Sequence, residues 1–364
     1  MTVSPRKPKG PLRKGWTTGA CATAAATAAY QALLTGAFAD PVTITLPGGE
    51  EPAFALKQQD RNDRAATVSV IKDAGDDPDV THGAEIVVTV AITDGNGGIT
   101  FHAGPGVGTV TRPGLALDVG EPAINPGPRA MMTTAIGDLA RSHGGDPDTV
   151  SITVGVLDGE RLAEKTLNGR LGIKGGLSIL GTTGIVIPYS CSSWIHSIHR
   201  GVDVAKASGL SHIAAATGRT SETAVQKLLG LADTALIDMG DFAGGLLKYL
   251  RKVPVERLTI AGGPGKITKL AQGAMDLHSS QSRVDMAGLS DMLASLGADD
   301  DTTDMAKNAN TAAEVFIAAD AAGLALGDLV ARRAREAALA TLSGDIAVDV
   351  MIFDGKGKGA GHAS

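Results

Sequence analysis

Glycine is gathered into short clusters along this chain, and no other feature limits its fold as much. It supplies 48 of 364 residues, about 13% against a usual ~7%. Aromatic residues make up only 3%. Glycine costs backbone entropy inside helices and strands, so clusters of it mark positions of positive φ or places where backbone must come close to a ligand. The working cleft is therefore expected to be built from glycine-rich turns rather than from a metal cluster or a catalytic triad. There is no G-X-Y period and 43% of residues are hydrophobic, which excludes collagen-like and disordered chains. A chain of this length exceeds what one hydrophobic core usually serves, so two domains are expected.

The formal net charge of −6 leaves no basic field for gripping a nucleic-acid backbone. An acidic ligand would need a local basic pocket. Cys21 and Cys191 lie far apart and form no CxxC or Cys/His pattern, so neither a disulfide framework nor structural zinc is indicated, and a reducing, cytoplasmic compartment fits. Near the N-terminus, Arg6, Lys7, Lys9, Arg13 and Lys14 precede an uncharged run from 15 to 39 that superficially resembles a signal peptide. The run is mostly Ala and Thr with Gln31 and Gly36 inside it, too weakly apolar for export or for a membrane span. It reads as a buried helix over 20–34, with a Thr of Thr17-Thr18 as its N-cap.

Strand signals follow at 42–46, 66–71, 85–92 and 150–156, with an acidic loop at 73–83, a Gly/Pro-dense segment at 104–128 and a helix over 129–141. Residues 1–190 thus predict an α+β domain. From 191 onward the rhythm changes: strands at 212–216, 235–239, 258–261 and 346–352 alternate with helices at 193–208, 221–231, 242–251 and 267–275 and with a longer helical pair between 305 and 342. Such alternation predicts an α/β domain over 191–364 with a mostly parallel, Rossmann-like three-layer sheet. Residues 354–364 read as a mobile tail.

Four segments have the residue types for chemistry. Thr17, Thr18 and Gly19 sit at a helix start, where free N–H groups attract carboxylate or phosphate, or simply cap a core helix. The run from His102 through Gly104, Gly106, Arg112, Asn125 and Arg129 carries a G-x-G-x-G, but Pro113 and Gly114 prevent it from opening a helix as a dinucleotide fingerprint must. It reads instead as a shaped loop presenting two arginines to carboxylates. Gly181-Thr182-Thr183-Gly184 interrupts an apolar stretch beside the domain boundary, where ligand clefts concentrate, although a plain turn would look the same. In the second domain, turns at Gly218-Arg219, Asp238-Gly240-Asp241 and Gly262 to Lys269 follow successive strands and fall on the edge where open α/β sheets bind ligands. The last is no P-loop: Ile260 replaces its first Gly, and Ile267 follows Lys266 where Ser or Thr should bind magnesium. His196 and His199 share a helix but lack a third ligand, so no metal site is expected and a solvated helix face is the reading. No Ser/His/Asp set can be assembled, and His278 is a candidate polar site residue.

In this order, Gly15-Trp16-Thr17-Thr18-Gly19-Ala20-Cys21-Ala22, the Gly104–Arg129 segment with its Glu-Pro-Ala-Ile-Asn-Pro core, Gly181 to Val186, Gly240-Asp241-Phe242 and Gly265-Lys266 to Ser279 resemble the cobalt-precorrin-5B C1-methyltransferase family of the CbiD type. The likeness spans nearly the whole chain. It departs from the family pattern at Ile187, at Cys191 to Ser193 and at Leu277. The resemblance implies methyl transfer from S-adenosylmethionine to C1 of a ring-contracted tetrapyrrole in cobalamin biosynthesis, giving cobalt-precorrin-6A. Cobalt belongs to the substrate alone. Under that reading Thr17, Thr18, Gly19, Gly104, Gly106, Arg112, Asn125, Arg129, Thr182, Thr183, Lys266 and Lys269 would face the anionic substrate. Gly181, Gly184, Gly218, Arg219, Asp238, Gly240 and Gly262 would face the methyl donor, and His278, Asp241 or Glu222 would accept a proton. Two competing readings are a dinucleotide-dependent oxidoreductase, which lacks its fingerprint, and a non-catalytic binder of anionic tetrapyrroles. No nucleic-acid or membrane partner is expected, and homo-oligomerisation is left open.

Overall fold

A computed structural model describes residues 10–94, 98–144, 149–342 and 344–364. Arg6, Lys7 and Lys9 of the basic leader lie outside the described residues. The chain divides into two compact units, 1–190 and 191–364.

The first unit is organised around helix α1 (Thr18–Thr35), which the Ala/Thr run forms. Thr17 caps it, its hydroxyl accepting from the Ala20 N–H, and left-handed Gly36 ends it. The helix is closed in on nearly every side: Ala20, Cys21, Ala22, Ala24, Ala25, Ala28, Ala29 and Tyr30 are all 0% exposed. Full enclosure explains why its sequence shows no polar stripe. Small side chains let it lie close to α2 (Pro126–Ser142) and to a five-stranded sheet. The strands are β1 (Gln58–Arg61), β2 (Ala65–Ile71), β3 (Glu85–Ile92), β4 (Ile99–Ala103) and β5 (Val150–Val156), in the order β1-β2-β3-β5-β4. All neighbours are antiparallel except β4 and β5. Ala66, Val68 and Val70, Ile86, Val88 and Val90, and Val150, Ile152 and Val154 alternate inward. On the other face the hydroxyls of Thr67 and Thr89 hydrogen-bond at 2.8 Å. Strands β1 and β4 carry no clean alternation, and the sequence reading places none there. The strand expected over 42–46 is ordered only as Val42–Thr43, pairing with Ala53–Phe54.

The second unit contains α3 (Cys191–Ala207), β6 (His212–Ala216), α4 (Arg219–Leu229), β7 (Leu236–Asp238), α5 (Ala243–Leu250), β8 (Arg257–Gly262), α6 (Pro264–Ala271), α7 (Met286–Ser295), α8 (Asp300–Asn308), α9 (Ala312–Ala321), α10 (Leu326–Thr341), β9 (Ala347–Phe353) and β10 (Gly359–Ala363). Helices α7 and α8 have no counterpart in the sequence reading. Sheet order is β7-β6-β8-β9-β10. The first four strands are parallel and β10 is antiparallel to β9, so the sheet is mixed rather than purely parallel. Residues 354–364, expected as a mobile tail, instead turn back and complete this sheet. Gly327 of α10 and Gly361 of β10 make that possible, because a Cβ on Gly327 would lie 1.7 Å from the Ala360 carbonyl oxygen. Alternate strand residues enter separate apolar clusters: Ile213, Ala215, Leu258, Ile260, Val350 and Ile352 join one, and Ala214, Ala216, Leu236, Ala261 and Phe353 join another. Among the described residues no helix is long and apolar enough to cross a membrane.

Candidate active site

In the first unit the glycine-rich segments meet one another. Turn 180–184 closes over the start of α1: the Gly19 N–H donates to the Leu180 carbonyl at 3.0 Å, and the Thr17 N–H to Gly184 at 2.9 Å. The Thr18 hydroxyl accepts from the Leu180 N–H at 3.0 Å. Thr17 and Thr18 are buried, at 6% and 3% exposure. The polar groups expected to hold an anion are thus paired within the chain, and they shape the turn. Thr182 and Thr183 at its tip stay exposed. Asn125 joins the same knot, its backbone N–H and its Nδ2 both donating to the Ile179 carbonyl at 3.0 Å.

The Gly104 segment is laced onto β5 and the 172–179 strip, with Gly104 N–H bonded to Val154 O at 2.8 Å, Leu177 N–H to Gly106 O at 2.9 Å and Gly108 N–H to Leu177 O at 2.9 Å. A Cβ on Gly106 would lie 2.0 Å from the Val156 carbonyl oxygen, and one on Gly176 would lie 2.2 Å from that of Gly106. At Gly106 and Gly176 the missing side chain lets backbone approach backbone inside the protein. The two arginines differ. Arg129 is committed, donating through Nε to Ile124 O at 2.7 Å and through NH2 to Glu121 at 2.8 Å, with its guanidinium over the Phe101 ring. Arg112, half-buried with its stem against Gly172, has no hydrogen-bond or ion-pair partner among the described residues.

In the second unit the carboxyl ends of β6, β7 and β8 share one edge. Strand order reverses between β6 and β8: the chain leaves β6 for β7 on one side and returns to β8 on the other. Val225 of α4 enters one apolar cluster while Ile267 and Leu270 of α6 enter the opposite one, so the turns after β6 and β8 part there. Open α/β sheets hold ligands in such a crevice. Neither α4 nor α6 has a side-chain cap at its N-terminus. Gly218 and Gly265 have no atom within 4 Å of where a Cβ would stand. That open space contrasts with the tight packing at Gly106 and Gly176. Gly262 is different, wedged against Thr217 and Ile267.

Beside this crevice, Asp241 and Lys266 form an ion pair. Lys266 and Lys269 converge on one carbonyl, that of Leu277, at 3.1 and 2.9 Å. Burial, and then the neighbouring Lys266 charge, pull the Lys269 ammonium below its ordinary range. His278 follows directly, exposed, with Nδ1 2.7 Å from the Ser280 hydroxyl. Asp241, Lys266 and Lys269 therefore gather around the Leu277 carbonyl, and the His278 ring turns to Ser280 instead. Glu222 lies in the first turn of α4. Arg219 is exposed at the start of that helix, and Asp238 ends β7.

The CbiD family profile matches residues 5–188, and the profile described as the CbiD C-terminal domain matches residues 276–364. The chain belongs to the CbiD family. It is 57% identical over 353 residues to a Bradyrhizobium protein named cobalt-precorrin-5B C(1)-methyltransferase, spanning 97% of this chain and 94% of that one. A protein of the same name from Halorhodospira halophila is 54% identical over 97% of this chain and 94% of its own. The crystal structure of the cobalamin biosynthesis protein CbiD from Archaeoglobus fulgidus is 29% identical, covers 70% of this chain and 78% of that one, and aligns with a TM-score of 0.39.

Within this CbiD chain the residues expected to face the donor are divided, Gly181 and Gly184 in the first unit and Gly218, Arg219, Asp238, Gly240 and Gly262 in the second. Lys266 and Lys269, expected with the substrate set, sit with the second group. Sequence reasoning missed the Leu277 carbonyl on which both lysines converge, because backbone groups carry no sequence signal. It also passed over Trp194, whose indole N–H donates to the Asp238 carbonyl at 3.3 Å. Its rarity was the available signal: the chain has only two Trp residues.

Proposed function

We propose that this chain transfers a methyl group from S-adenosylmethionine to C1 of cobalt-precorrin-5B, giving cobalt-precorrin-6A in cobalamin biosynthesis. The observation that carries the reading is end-to-end identity above one half with proteins bearing that enzyme's name. In the reaction the methyl–sulfur bond breaks as the carbon–methyl bond forms, sulfur keeps the electron pair, and S-adenosylhomocysteine leaves. Such a displacement needs alignment and exclusion of water more than covalent help from the protein. The second unit, read as a Rossmann-like three-layer domain, takes the donor in the crevice between β6 and β8, with Gly218 and Gly265 leaving room and Asp238 toward the ribose. The first unit takes the tetrapyrrole, whose peripheral carboxylates suit Arg112, the uncommitted guanidinium. Thr182 and Thr183 at the exposed tip of turn 180–184 lie with that substrate set, while Gly181 and Gly184 keep the turn's shape. Asp241, His278 and Glu222 are the candidate proton acceptors, Asp241 being the one paired with Lys266. The protein works in the cytoplasm on a soluble substrate.

Incubation with cobalt-precorrin-5B and donor labelled in its methyl group tests the reading. One labelled methyl per pigment, with stoichiometric S-adenosylhomocysteine, is the expected result. A pigment bound but returned unlabelled would make the protein a tetrapyrrole binder instead.

A further inference from the structure

Trp194 lies in the first turn of α3 and is 45% exposed, an unusual state for so large an apolar ring. It is nonetheless held in place. Its Nε1–H donates to the carbonyl of Asp238, which satisfies the indole's one polar group and fixes the ring at the carboxyl end of β7. Gly240 takes a left-handed φ of 54° beside it, and a Cβ there would stand 3.3–3.4 Å from Nε1 and two adjoining ring carbons. Gly240 thus lies close against the indole without a side chain of its own, and nearly half of the residue's surface stays in solvent. An aromatic surface that is anchored, wet and next to a strand-end carboxylate has the properties of a stacking platform.

We propose that Trp194 stacks on the adenine ring of the methyl donor. The proposal rests on the reading that the second unit binds the donor at Asp238. If that carboxylate bonds the ribose, as an acid beyond a strand end does in open α/β folds, the base lies one glycosidic bond away. The indole is bonded to the backbone of the same residue, which puts its face within reach of the base and not of the methyl group. Stacking on an aromatic face is tolerant of the base's substituents and depends on ring area, so Phe should preserve part of the affinity and Ala should not.

Calorimetric titration of the full chain with S-adenosylhomocysteine and with S-adenosylmethionine tests this. Trp194→Ala should weaken both ligands equally, by about tenfold, and Trp194→Phe should recover part of that loss. In a Trp16→Phe background, where Trp194 is the one remaining indole, its fluorescence should quench saturably with either ligand. A purely structural role for the ring would not produce this quenching. Three results would overturn the platform. Unchanged affinity in Trp194→Ala is one, absence of quenching at saturating ligand is the second, and a loss for the sulfonium ligand alone, which would place the ring against the charge, is the third. Asp238→Ala separates the two levels: if it weakens binding while Trp194→Ala does not, the platform fails and the donor site stands. If neither variant weakens binding, both fail together.

Discussion

Lys72 is the largest charged side chain sealed inside the first unit, 1% exposed, with its ammonium 2.6 Å from Asp79. Burial works against the Asp79 carboxylate, but the Lys72 charge and hydrogen bonds from Lys72 and Thr81 outweigh it and hold its pKa below the usual range. Removing one member strands the other, so Lys72→Met should cost about 3 kcal/mol. Lys72→Met/Asp79→Leu should cost less than the single change, and chemical denaturation of the three proteins measures both. The Arg13–Asp73 pair differs because it is exposed. Arg13 grips both oxygens of Asp73 at 2.5 and 2.9 Å and, with the Gly75 N–H, lowers that carboxyl to about 2. A depressed folded-state pKa stabilises the protein above the unfolded value near ~3.9. The contribution is lost as pH falls toward the folded value. Asp73→Asn should therefore show a flatter dependence of Tm on pH between about 4 and 2 than the parent, read by circular dichroism.

At the scale of elements, glycine decides which segments can touch. Strand β10 reaches α10 only because Gly327 and Gly361 lack side chains. Gly327→Ala should destabilise the second unit by about 1–3 kcal/mol, while speeding amide exchange across 359–363 before the rest of the sheet. Exchange that stayed slow there would show that the contact carries no stability. Helix α1 was legible in the sequence because Thr17, Gly36 and a run without breakers mark it. Strands β2, β3 and β5 were legible as runs rich in β-branched residues bounded by turn clusters. Strands β1 and β4 were not, since Gln58–Arg61 is wholly exposed and Ile99–Ala103 is only partly covered, leaving no apolar period to read. Likewise α7 and α8 are short, and α8 is largely polar and held by tertiary packing and by the Asp299 cap.

For the whole molecule, the proposed division of labour predicts separable defects. Arg112→Ala should raise the KM for the tetrapyrrole about tenfold and leave S-adenosylhomocysteine affinity alone. Asp238→Ala should do the reverse. Steady-state kinetics with each substrate varied, alongside calorimetry, measures this. A single variant that damaged both parameters equally would argue against two functional halves.

The amino-acid sequence by itself determined the buried Ala/Thr helix, the α+β-then-α/β order, the absence of a P-loop and the family, because caps, periodicity and ordered motifs are local and one-dimensional. Tertiary structure alone decided what surrounds each glycine cluster. In the first unit they let backbone pass against backbone and consume the N–H groups of Thr17 and Gly19, whereas Gly218 and Gly265 in the second face open space. A glycine looks the same in both settings. Only the position of the segment opposite it, brought there by packing from far along the chain, separates a glycine that lets backbone meet backbone from one that faces open space.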